Sequence, residues 1–114
     1  MKLPVEVKRA AQAALDKKAE NVVVLDLRQS AAFTDYFLLI SGDNQRQLVA
    51  IADAILAALK ALALRPSHVE GYPRQEWILL DYDGLVIHVM TPRMRGFYDL
   101  ERLWGGAARS VLGA

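Results

Sequence analysis

Apolar residues recur at helical spacing in two stretches of the chain and at strand spacing in several others. The clearest helix spans residues 45–64, where Leu48, Ile51, Ala52, Ile55, Leu59 and Leu62 follow the i, i+3, i+4, i+7 rule of a one-sided apolar stripe. Asp43 precedes it as a candidate N-cap, and Arg65-Pro66 closes it, because proline disfavours helix in the residue before it. A second helix is predicted over residues 4–19, with Pro4 at the first helical position and a thin stripe of Val7, Ala11, Ala14 and Lys18 that implies loose packing. "VVVLDL" (22–27) and "YFLLIS" (36–41) read as buried strands, and residues 68–70 as a short one. "FYDLERLW" (97–104) reads as a short helix with Phe97, Leu100 and Trp104 on one side and Gly105 just past its end. Patterning after that is weak and predicts fraying. The order α-β-β-α-β-β-β-α predicts an α/β chain of the mixed-sheet, α+β kind: one domain, about five strands, helices packed on the sheet. The domain is set at residues 1–105, with 106–114 as a short tail.

The stretch "WILLDYDGLVIHVM" (77–90) carries the most information. Asp83-Gly84 suits a two-residue type I′ turn, which requires positive φ at both residues. That turn fixes the register, setting Tyr82 opposite Leu85, Leu80 opposite Ile87 and Ile78 opposite Val89. This face is wholly apolar and belongs against helices. The reverse face sets Trp77 opposite Met90, Leu79 opposite His88 and Asp81 opposite Val86. A solvated face would carry Lys, Glu, Thr and Arg. A large aromatic and a methionine among scattered polar groups has instead the makeup of an interface hot spot. Two other readings stand beside it: a second helical layer over a buried imidazole, and a catalytic surface.

Composition narrows the function classes. The 114 residues are 54% apolar and 24% charged, enough for a core without staples. Fourteen basic against 13 acidic residues leave a net charge of +1, so no global positive field points to nucleic acid and no direct DNA binding is expected. Cysteine is absent, which excludes disulfides, thiol chemistry and Cys-ligated zinc. With no membrane-length apolar run and no leader pattern at the N-terminus, a cytoplasmic protein is expected.

Chemistry has weak footholds. Asp81-x-Asp83 at a strand end could hold Mg²⁺, and "SGDN" before a helix could bind phosphate, as in a metal-dependent nucleotidyltransferase. But the Asp-Gly turn already explains Asp83, the loop has one glycine beside an acid, and no lysine follows it. Ser30, Ser41, Ser67 and Ser110 lie in no nucleophile elbow, and His68 and His88 lack metal-ligand spacing. Asp35 reads as a turn carboxylate.

Taken in order, Thr34-Asp35, Ser41-Gly42 with Arg46, Glu70-Gly71, Trp77, Asp81 with Gly84, His88-Val89-Met90 and Tyr98-Leu100-Leu103-Trp104 resemble the ribosomal silencing factor, or Iojap-related, family. The resemblance runs from about Val22 to Trp104. It implies a nucleotidyltransferase-like topology without that activity, and no cofactor or metal. It also implies binding to the large ribosomal subunit at ribosomal protein L-fourteen, occlusion of the small subunit, repression of translation, a part in large-subunit maturation and the capacity to form a homodimer. The face argument then places Trp77, Leu79, His88 and Met90 at the centre of a partner-binding patch, with Asp81, Arg95 and Tyr98 around it. Leu100 and Trp104 are expected in the core. The competing expectations are a divergent nucleotidyltransferase and a homodimerisation module using the same face.

Overall fold

The computed structural model describes residues 2–30, 32–72 and 76–113. In chain order the elements are α1 (Val5–Asp16), β1 (Glu20–Asp26), β2 (Tyr36–Ser41), α2 (Gln45–Lys60), β3 (His68–Glu70), β4 (Trp77–Asp81), β5 (Leu85–Met90), α3 (Pro92–Tyr98), the single turn α4 (Leu100–Leu103) and β6 (Ala108–Leu112). One six-stranded sheet runs β3-β4-β5-β2-β1-β6, parallel only between β2 and β5. The chain is thus a single α+β domain, with one strand more than the pattern of residues predicts.

The two helices expected from periodicity lie on one face. Leu48, Ile51, Ala52, Ile55 and Leu59 of α2 are fully buried against Ile78, Leu80, Ile87 and Val89. Each such leucine, isoleucine or valine stabilises the fold by about 1.5–3 kcal/mol. The α1 stripe is not loose: Val7, Ala10, Ala11 and Ala14 are all buried, because alanines let the helix sit close to its neighbours. Both helices stop a few residues earlier than predicted, and in the same way. After α1, Ala19 N–H donates to Ala14 C=O and Lys18 N–H to Leu15 C=O, with Lys18 at φ 62°. After α2, Leu64 N–H donates to Leu59 C=O and Ala63 N–H to Lys60 C=O, with Ala63 at φ 62°. These are Schellman closures with a non-glycine in the left-handed position. Asn44, not Asp43, caps α2, accepting from Gln47 N–H at 2.9 Å. The Gln47 side chain accepts from Asp43 N–H (2.7 Å) and donates to the Lys17 and Lys18 carbonyls, so it ties the start of α2 to the end of α1.

The hairpin has the predicted register, Trp77 opposite Met90 through Asp81 opposite Val86. Its turn is not type I′: only Asp83, at φ 69°, has positive φ. Neighbouring groups hold it. Asp81 Oδ1 accepts from Asp83 N–H (2.8 Å), and Thr34 Oγ1 donates to the Asp83 carbonyl (2.7 Å). The Gly84 carbonyl accepts from both Asp35 and Tyr36 N–H. The turn is therefore shaped by the parallel neighbour strand, not by its own two residues.

A second layer covers the other face. Thr91-Pro92 ends β5 and also starts α3: Pro92 takes the first helical position and Thr91 Oγ1 accepts from Met94 N–H. Asp99 at φ 48° then breaks the helix predicted over 97–104 into α3 and α4. The break turns Leu100 and Trp104 back onto the sheet, where they pack with Val23, Leu25, Phe37, Leu39, Val86 and Met90. Phe97, expected beside them, is instead 78% exposed. The segment expected to fray carries β6, paired with β1 from Val22–Leu112 to Asp26–Ala108.

Candidate functional site

At the β4 side of this second layer, α3 stands off the sheet and leaves a groove of about 560 Å³. Strand alternation turns Ile78 and Leu80 toward α2 and leaves Trp77, Leu79 and Asp81 half-buried on the opposite side. The walls are Trp77 and Leu79 from β4 and Met94 and Tyr98 from α3, with Glu70, Glu76 and Arg93 at the rim. The Tyr98 ring lies 4.7 Å from that of Trp77 at 51°, and Phe97 meets Tyr98 edge-on at 5.0 Å. Three aromatic rings thus follow one another from the groove to the exposed end of α3. Tyr98 is 48% exposed.

The groove is built on fixed elements. Thr91 Oγ1, besides capping α3, donates to Glu76 Oε1 (3.0 Å), and Thr91 N–H donates to the Glu76 carbonyl (3.0 Å). Arg93 pairs with the same carboxylate and, with Thr91, holds it below its ordinary protonation range. Midway along α3, Arg95 is buried and bidentate to Glu101 (3.0 Å twice), and its Nη1 donates to Ser41 Oγ (3.0 Å) and to the Asn21 carbonyl. Asn21 sits at φ 50° in the irregularity that offsets β1 from β2, which turns its carbonyl to this guanidinium. The Arg95 hydrogen bonds lower the protonation range of Glu101. This clasp pins α3 and α4 to three strands, since Arg109 of β6 also reaches Glu101 (3.3 Å).

Burial corrects the expected arrangement of the hairpin face. His88, 4% exposed, and Met90, fully buried, lie under α3, α4 and Trp104. The expectation of an uncovered face centred on them fails there, because the chain after Pro92 folds back over β5. Arg95 is likewise a buried clasp, not a rim residue. Trp77, Leu79 and Tyr98 do come together, and Asp81 lies further along the strand, its carboxylate occupied with the turn. Met94, Glu70, Glu76 and Arg93 were not expected here. Two of them had a sequence signal: Glu70 lies in a family motif, and Met94, with Thr91 as cap and Pro92 at the first position, falls one turn ahead of Tyr98.

Beneath the groove the Trp77 indole Nε1–H donates to His88 Nδ1 at 3.1 Å. The His88 ring meets Phe37 in a T-shaped contact with centroids 4.6 Å apart, and burial pushes its pKa down to about 4. An indole only donates, so the neutral imidazole carries its proton on Nε2, which has no partner among the described residues. Other residues considered for chemistry have structural work. Ser41 binds Arg95, and a Cβ on Gly42 would stand 2.9 Å from Leu48 Cδ2, so that glycine serves close strand–helix packing. Among the described residues no group of three His, Asp or Glu side chains is arranged to hold a metal, and no helix is long and apolar enough to cross a membrane.

The fold and sequence have clear relatives. The family model described as "Ribosomal silencing factor during starvation" matches residues 1–113. The ribosomal silencing factor of Bacillus subtilis is 36% identical over 101 residues, 89% of this chain and 86% of that protein. Mouse "Mitochondrial assembly of ribosomal large subunit protein 1" is 32% identical over 91 residues, 77% of this chain and 40% of that protein. A crystal structure of a Chromobacterium violaceum protein superimposes with a TM-score of 0.86 at 32% identity, covering 100% of this chain and 95% of that one. With the family match spanning nearly every residue from α1 to β6, this chain belongs to the ribosomal silencing factor family.

Proposed function

We propose that this protein is a non-enzymatic repressor of translation. In this reading it docks on the large ribosomal subunit at ribosomal protein L-fourteen and blocks joining of the small subunit, acting in the cytoplasm. The observation that carries the proposal is the groove itself. Trp77 and Tyr98 present touching, partly exposed aromatic rings on rigid elements, with Leu79 and Met94 beside them and, among the described residues, charged groups confined to the rim. That is the anatomy of a protein–protein hot spot, an apolar centre with a polar border. The lining favours occlusion over catalysis, because the Glu76 carboxylate and the Arg93 guanidinium are paired with each other and, among the described residues, it presents no hydroxyl or thiol nucleophile backed by a base. The family membership supplies the ribosome as partner. The test is reassociation of purified subunits followed by light scattering. Added protein should lower the yield of joined ribosomes in proportion to its occupancy of large subunits; full reassociation at saturating protein would refute blocking. A second copy of this chain is the competing occupant of the groove, and sedimentation of the free protein reads that outcome directly.

A further inference from the structure

We infer that His88 is a positioning residue for docking: its buried Nδ1 holds the Trp77 indole in the orientation that opens the groove. The inference rests on the docking reading above. His88 lies diagonally across the hairpin from Trp77, since the pairs are Trp77–Met90 and Leu79–His88. Diagonal neighbours are within reach of aromatic side chains. The contact made is specific: the indole's single polar atom donates to Nδ1 at 3.1 Å. That bond turns the N–H edge of the indole inward. Its ring then lies against Tyr98 at 4.7 Å and forms the groove wall, so a partner meets hydrocarbon and π surface at Trp77 and not a hydrogen-bond donor.

The choice of residue is informative. The surroundings of His88 are Phe37, Leu39, Val86 and Met90, an apolar cluster that a phenylalanine would suit. An imidazole there leaves Nε2 buried and, among the described residues, without a partner, which is unfavourable. The one interaction that sets the imidazole apart from a phenyl ring is the acceptor it offers to Trp77. Without that acceptor the half-buried indole must turn its N–H to water, which takes the ring off Tyr98.

Two substitutions separate positioning from mere structure. His88→Phe keeps the packing and removes the acceptor. His88→Asn places an amide oxygen near the position of Nδ1 but leaves a void. Stability should therefore rank Phe above Asn, and affinity for purified large ribosomal subunits should rank Asn above Phe. The expected loss for His88→Phe is roughly tenfold in Kd, the most that one neutral hydrogen bond commonly supplies. The Trp77 indole N–H resonance should exchange rapidly with solvent in His88→Phe and stay protected in His88→Asn. In a Trp77→Phe background, His88→Phe should cause no further loss. Wild-type affinity in His88→Phe, with Trp77→Ala deficient, would overturn the positioning role alone. Wild-type affinity in both variants would overturn the docking reading and this inference together.

Discussion

Replacing His88 by Phe should flatten the pH dependence of stability between neutral pH and about pH 5. Burial lowers the imidazole pKa from its ordinary 6.5 to about 4 in the folded protein. Between those values the unfolded chain binds a proton that the folded chain refuses. The stability is therefore fully present above 6.5 and falls as the pH drops toward 4. At 1.36 kcal/mol per unit the whole window amounts to about 3 kcal/mol, and at about pH 5 the loss is about 2 kcal/mol. Glu76 and Glu101 have lowered values, so what they contribute is lost as the pH falls below their ordinary 4.5, largely outside this window. Urea unfolding followed by tryptophan fluorescence at about pH 7.5 and about pH 5 reads the difference in midpoint. Wild type should lose about 2 kcal/mol between the two and His88→Phe a few tenths. Equal losses in the two proteins would mean that the imidazole takes up protons freely, and the buried, neutral His88 would be wrong.

Two further outcomes follow from single contacts. Glu101→Ala leaves the Arg95 guanidinium buried without its carboxylate and should destabilise the protein by about 3 kcal/mol in the same urea assay, with loss of protease resistance first in α3 and α4. Ala63→Gly and Lys18→Gly each relieve a side chain held at φ 62° in a helix closure, and each should raise stability by about 1 kcal/mol, additively because the two sites share no partner.

Local chemistry made some of this fold legible. The Asp83-Gly84 pair fixed the hairpin register correctly even though its turn type differs, because register depends on loop length and turn type depends on what surrounds the loop. The α2 stripe reads directly onto the core. What escaped depends on partners distant in sequence. Residues 108–112 alternate weakly and become a strand only because β1 offers an open edge. Pro92 reads equally well as the end of a strand and the start of a helix, and Asp99 in the left-handed region has no local signature strong enough to break "FYDLERLW". Those two points hide the second layer, and with it the burial of His88 and Met90. One clue was present: "LVIHVM" has a single polar residue, as expected for a strand covered on both faces. The groove walls Trp77 and Leu79 were legible because "WILLD" alternates, and Tyr98 because the family motif includes it.

If the Trp77–Tyr98 groove is what holds the large subunit, Trp77→Ala should fail to cosediment with purified large subunits while far-ultraviolet dichroism and urea unfolding show a folded domain. Trp77 as a desolvated anchor is worth ~2–4 kcal/mol, so affinity should fall roughly thirtyfold or more. A folded Trp77→Ala protein that still travels with large subunits at wild-type occupancy would mean that the groove does not hold the ribosome.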